Sequence, residues 1–213
     1  MKALLSKSWP LLAAATLILA GCATPFVPAK YVVDPNRPYA PHTQKTILLV
    51  SAFDRTGGNT PSGGGSPSFN PSAYLTGILE QELTAAGIKF RRLEGSYSPS
   101  FSGVENGLAA GTINADGGVV LTASINAFPN DFVLSCDFRV YSESGRLLFE
   151  KRGLCMNFSV TNPAILEQNE AKNLFNFNMA SGDPKVVEAN RLKAPRMVMQ
   201  QLFGDPAFQK AIQ

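Results

Sequence analysis

The chain has 213 residues, 45% of them apolar and only 16% charged, with 18 Gly and 15 Pro. That supports one domain with a sizeable core, or one domain plus an extension, and excludes a coiled coil, a polyampholyte tail or a collagen-like repeat. The 19 Lys and Arg against 16 Asp and Glu give +3, but Lys2 and Lys7 lie in a leader; without them 17 basic side chains face 16 acidic ones, a balance of +1 with no footprint for nucleic acid.

The leader comes first along the chain. Lys2 and Lys7 make a basic start, an apolar run extends from Leu11 to Ala20, and Leu19-Ala20-Gly21-Cys22 follows. The run is about half the ~20 residues that a bilayer-spanning helix needs, so residues 1–21 read as a signal peptide. The tetrapeptide closely resembles the bacterial lipobox. That resemblance implies lipidation of Cys22, cleavage before it, and two or three acyl chains, enough to anchor a protein stably where one is not. An ordinary secretory signal with a chance cysteine is the alternative. Ala23 stands where the family's inner-membrane retention signal has Asp, which favours the outer membrane, facing the periplasm.

Residues 22–45 hold Pro25, Pro28, Pro35, Pro38 and Pro41 without an apolar period. Proline at that density makes an extended spacer with a reach on the order of 70 Å at ~3.1 Å per residue. The region 46–213 then reads as a single periplasmic domain. Thr46 to Phe53 is a short apolar run, a buried strand. Asp54 to Ser68, with Gly57, Gly58, Gly63, Gly64 and Gly65, is a long loop, and loops of that length in compact domains are functional or disordered. Asn70 as N-cap, Pro71 at the first position and Gly87 beyond the end frame a helix whose Leu75, Ile78, Leu79 and Leu83 form one stripe. Ile88 to Leu93 is a half-exposed strand, completing a βαβ plan with a parallel pair.

Gly95 to Gly111 is polar and glycine-rich, with at most one turn of helix near Val104 to Ala110. Gly118 to Phe128 and Phe132 to Tyr141 are strands. In the second, Leu134, Cys136, Phe138 and Val140 face one way and Ser135, Asp137 and Arg139 the other. Ser142 to Gly145 makes a hairpin turn into a strand from Arg146 to Val160, with a bulge near Gly153. Asn162-Pro163 and Asp183-Pro184 each open a helix: Ile165, Leu166, Leu174 and Phe175 mark the first, and the second runs on with an interruption or kink at Pro195. Gly204-Asp205-Pro206 starts a short terminal turn. The fold class is α/β (α+β), a mixed β-sheet of about five strands with helices packed on it.

A search for chemistry returns little. There is no phosphate-binding loop with its lysine, no nucleophile elbow, no Cys-x-x-Cys pair, and one histidine, His42, in the spacer. Asp54 and Asp116 read as turn formers, and Arg91-Arg92 as a solvated strand face. No catalytic residue, cofactor or metal is expected. Cys136 and Cys155 remain as thiols in an oxidising compartment. One bridge is open to them, yet the simplest hairpin register does not place them opposite one another, and two buried thiols behave as small hydrophobes. Both readings stand.

The segment Ile47 to Gly57, the capped helix and the strand ending Arg92-Leu93-Glu94 resemble the opening of the CsgG/HfaB family of curli-secretion and holdfast-anchoring lipoproteins. Ala115 to Ile125 is similar to that family's third strand, and Asp137 to Leu148 to its next hairpin. The plan is shared with the TolB N-terminal module and with LpoB. The resemblance implies a non-enzymatic outer-membrane lipoprotein whose periplasmic domain binds protein partners in envelope assembly or secretion, with homo-oligomers conceivable. The family's constriction loop falls at 59–70, so Arg55, Phe69 and Asn70 mark a candidate partner-binding loop. Pore-forming members insert two long hairpins per subunit. The first would fall between Phe128 and Phe132, where three residues stand and one membrane strand alone needs about 9–11. The second would fall near 158–183, where Asn169, Glu170, Lys172 and Asn173 break a lipid-facing alternation. The expectation is no pore, with a secretion-channel subunit and an envelope hydrolase as rivals.

Overall fold

The computed structural model describes residues 45–56, 70–93, 95–127, 133–158, 165–166 and 184–213. Elements follow in the order β1 (Thr46–Leu49), β2 (Phe53–Asp54), α1 (Pro71–Ala85), β3 (Phe90–Arg92), α2 (Phe101–Ala109), β4 (Gly118–Ala127), β5 (Val133–Tyr141), β6 (Leu147–Asn157), β7 (Ile165–Leu166), α3 (Pro184–Phe203) and α4 (Pro206–Ala211). They build one mixed sheet in the order β3-β1-β4-β5-β6-β7, with β2 on the same edge of β4 as β1. β1 is parallel to β3 and β4, as a crossover through α1 requires, and β4, β5 and β6 form antiparallel hairpins.

Among the described residues the sheet has seven strands, two more than the five read from the sequence. One addition comes from a break in the first apolar run. Leu49 pairs with Leu121 and Phe53 with Ser124, so three residues on one side face two on the other. The Ala52 backbone leaves the ladder there, and α1 satisfies it: Thr76 Oγ1 accepts from Ala52 N at 2.9 Å, and Ser72 Oγ donates to Ala52 O. The other addition corrects the helix expected from Asn162-Pro163. Ile165 and Leu166 form a strand antiparallel to β6, opposite Met156 and Cys155. Local spacing favours a helix, but the outer backbone groups of β6 at this point take a strand partner, and that pairing is invisible to periodicity. Leu174 and Phe175 lie outside the described residues.

The helical punctuation of α1 holds in detail. Asn70 Oδ1 accepts from Ala73 N at 3.0 Å, and Gly87 takes φ 68° beyond the C-cap. Leu75, Leu79 and Leu83 are fully buried against Ile47, Leu49, Leu121 and Ile125. The same core takes in Phe138 and Val140 of β5, Met197, Val198 and Leu202 of α3, and Phe208 of α4. α3 is one helix of 20 residues with Pro195 inside it, not interrupted there.

A second, smaller core lies on the opposite face, where α2 covers Leu48, Val50, Phe53, Val120 and Tyr141. α2 has nine residues and starts at an N-cap, Ser100, whose Oγ accepts from Gly103 N at 3.0 Å. It is longer than the single turn expected from its glycines. A Cβ at Gly103 would lie 2.3 Å from Ser98 O, and one at Gly107 would lie 2.5 Å from Ile113 Cδ1. These glycines serve close approach, not chain flexibility.

Candidate partner-binding surface

Beyond α2, the second face of the sheet is polar. Strand alternation carries Thr122, Ser124 and Asn126 of β4, Ser135, Asp137 and Arg139 of β5, and Glu150 of β6 onto it. The anticipated bulge organises one half. Cys136 pairs with Leu154 and Phe138 with Lys151, so Asp137 faces two residues, Arg152 and Gly153. Gly153 takes φ 69°, and its N–H donates to Asp137 Oδ1 at 2.9 Å. Asp137 Oδ2 accepts from Asn126 Nδ2 at 3.4 Å and faces Arg55 Nη1 at 4.0 Å. Ser124, opposite Asp137 and fully buried, has a hydroxyl with no hydrogen-bond partner among the described residues.

The other half is a charge network. Arg139 Nε donates to Glu150 Oε1 at 2.6 Å, and Arg152 Nη2 donates to the same oxygen at 2.8 Å. The Arg139 guanidinium lies 4.6 Å from the Phe101 ring centre, and Phe101 meets Phe53 edge to face at 5.4 Å. The hydrogen bond from Arg152 holds the Glu150 carboxyl below the ordinary glutamate range, opposed by desolvation and reinforced by Arg139. The result is a hydrogen-bonding surface of mixed sign with mobile-length arginines at its rim, where Arg55 is 58% and Arg152 64% exposed.

The residues singled out in the sequence disperse. Arg55 belongs to this surface. Asn70 lies at the start of α1, where its side chain accepts the capping hydrogen bond from Ala73 N. Phe69 and the glycine-rich loop 57–69 lie outside the described residues, as does Cys22. Cys136 and Cys155 are both buried and free. Cys155 pairs with Ser135, not with Cys136, and their registers differ by one residue, so their side chains project from opposite faces of the sheet. The bridge left open by the sequence is therefore not made. Burial raises both thiol pKa values, that of Cys155 to about 12, with the Asp137 charge adding to each.

The two turn-forming acids, Asp54 and Asp116, on which a hydrolase would have to draw, sit at opposite ends of the sheet. Asp54 pairs with Ile125 and Asp116 lies two residues before Gly118, a separation on the order of 23 Å along β4 at ~3.3 Å per residue. That is too far for a cooperating carboxylate pair. Asp54 Oδ1 accepts from Thr56 N at 2.8 Å, and Asp116 Oδ2 accepts from Asn114 Nδ2 at 2.7 Å, each closing a local turn. Among the described residues no group of three His, Cys, Asp or Glu converges to hold a metal ion, and no helix is long and apolar enough to cross a membrane.

Sequence reasoning marked Ser135, Asp137 and Arg139 as one face of β5 but gave them no role. The signal was there: three polar residues at period two, on a strand whose other face is wholly apolar.

This mixed sheet with a fully covered apolar face and a half-polar opposite face defines the class of the domain as α/β. No family model matches the chain, and no curated protein matches it. Solved structures that are similar over part of its length include the following three. Lipoprotein GNA1162 from Neisseria meningitidis is 13% identical, with a TM-score of 0.32, over 53% of this chain and 80% of that one. The LpoB C-terminal domain from Escherichia coli is 18% identical, with a TM-score of 0.34, over 52% and 81%. The corresponding LpoB domain from Salmonella enterica is 15% identical, with a TM-score of 0.31, over 52% and 82%.

Proposed function

We propose that the protein is a non-enzymatic outer-membrane lipoprotein whose domain faces the periplasm and binds protein partners in envelope assembly or secretion, in the manner of the CsgG/HfaB-like lipoproteins. The observation that carries this reading is Leu19-Ala20-Gly21-Cys22, placed directly after a basic start and a ten-residue apolar run. Acyl chains on Cys22 fix the chain to one leaflet, and residues 23–45 give the domain reach without letting it diffuse away. Support for a binding role comes from the polar face: Arg55, Asn126, Asp137 and the Arg139–Glu150–Arg152 network offer donors and acceptors of both signs, suited to the polar rim of a protein interface. The hairpin from β4 to β5 closes with Ala127 opposite Leu134, which leaves no length for a membrane-crossing insertion at that point.

The test is capture of the full-length protein from crosslinked cell envelopes, wild type beside the Arg55→Glu, Asp137→Arg double variant. Recovery of one or a few envelope proteins with wild type, and their loss with the variant, is the expected result. Recovery of only peptidoglycan fragments or small metabolites contradicts the reading.

A further inference from the structure

At the opposite end of the sheet from Arg55, the starts of β1 and β4, the β5–β6 turn and the last turn of α4 enclose a cleft of about 580 Å³. Three cations line it, Lys45, Arg146 and Lys210, against one acid, Glu143, for a formal balance of +2. Its remaining wall is partly apolar, including Leu148 and Ala211. Lys45 is also the last residue of the proline-rich spacer, directly before β1.

Cationic side chains beside an apolar wall suit a ligand that is anionic at one end and oily at the other. Their position at the mouth of the spacer decides between possible sources. We propose that this cleft seats the phosphate of an anionic phospholipid headgroup from the bilayer that holds the anchor, with Leu148 and Ala211 against the glycerol and upper acyl region. The choice of a membrane source rests on the anchored reading above. Anchoring raises the effective concentration of such lipids around the domain, so a weak site is occupied. Each cation near an anionic surface is worth roughly a fivefold change in affinity. Occupancy would hold the spacer end of the domain toward the lipid and turn the polar surface around Arg55, at the far end of the strands, into the periplasm.

The experiment uses the full-length protein in neutral detergent, titrated calorimetrically with dihexanoylphosphatidylglycerol, dihexanoylphosphatidylcholine, inorganic phosphate and a soluble muropeptide. The expected order places phosphatidylglycerol first, with the zwitterionic lipid at least tenfold weaker. Arg146→Gln with Lys210→Gln should weaken phosphatidylglycerol binding roughly 25-fold, while Glu143→Gln should tighten it roughly fivefold. These opposed signs do not arise from damage to the fold. Equal binding of the two lipids, or unchanged affinity in both variants, overturns the proposal. So does inorganic phosphate binding as tightly as the lipid, which would mean a soluble anion site, or tighter binding of the muropeptide, which would mean a cell-wall site. Titration in detergent does not need the anchor, so a Cys22 found without acyl chains would defeat the anchored reading while leaving the cleft's lipid selectivity to stand or fall by these titrations.

Discussion

On one face of the sheet, α1, α3 and α4 lay Leu79, Val198 and Phe208 over Ile47, Leu121 and Phe138, with every one of these side chains buried. On the other, α2 covers Leu48, Val50 and Tyr141 and leaves the neighbouring strand positions to Asn126, Asp137, Arg139 and Glu150. The first face is built for burial and tolerates little else. The second joins a small core to a surface where Asn126, Asp137, Arg139, Glu150 and Arg152 bond one another, and such a surface is free to be judged by recognition rather than by stability. The comparison teaches that the hairpins β4–β5–β6 serve both ends at once, through nothing more than strand alternation.

Truncation of a side chain should separate the faces most sharply. Phe138→Ala, in the large core, is expected to cost about 3–5 kcal/mol. Phe101→Ala, at the edge of the small core and 8% exposed, should cost visibly less in the same urea titrations. Equal losses would mean that the two cores are equally cooperative, and would break the contrast. Thr76→Val should cost about 1–3 kcal/mol, because it leaves the buried Ala52 N–H without its acceptor while keeping the shape of the side chain.

Two glycines give a test of opposite sign. Gly77 lies in α1 with open space around its missing Cβ, so Gly77→Ala should stabilise by about 0.5–1 kcal/mol. Gly103 lies in α2 against Ser98, so Gly103→Ala should destabilise by about 1–3 kcal/mol despite the same gain in helix propensity. If both variants gain stability, the close approach of α2 to its neighbours is wrong.

The smallest effect concerns charge. Glu150 has a native pKa below its unfolded value of 4.5, so its contribution is complete above that value and is lost as pH falls through the native pKa. Glu150→Gln should therefore lower stability at neutral pH by a few tenths of a kcal/mol and flatten the decline below about pH 4.5. A decline as steep as in the wild type would show that the network is not where acid acts. Thiol labelling adds a check on the strand register: Cys136 and Cys155 should resist labelling in the native state and both react after denaturation without any reductant.

Much of the apolar face was legible in the sequence because each part carries its own signal. Asn70, Pro71 and Gly87 mark the ends of α1, Leu75, Leu79 and Leu83 its buried stripe, and Gly145 and Gly153 the turn and the bulge. What was missed depends on neighbours distant in sequence. The break at Ala52 exists because Ser72 and Thr76 wait across the crossover, β7 because β6 has an edge to fill, and the length of α2 because Ser98 and Ile113 demand glycine. The candidate surface was half visible, as an alternation in β5 without a role. Arg55 reaches it only through the sheet order, while Asn70 caps α1 as its place before Pro71 predicts.

The central claim is that this domain works while tied to a membrane through Cys22. Intact-mass and peptide mass spectrometry of the protein from detergent-solubilised membranes tests it directly. The account predicts a chain beginning at Cys22 that carries a diacylglycerol on the thiol and, in the complete modification, a further acyl group on the amine. A water-soluble product with residues 1–21 still attached, or one cut elsewhere with an unmodified Cys22, would contradict it.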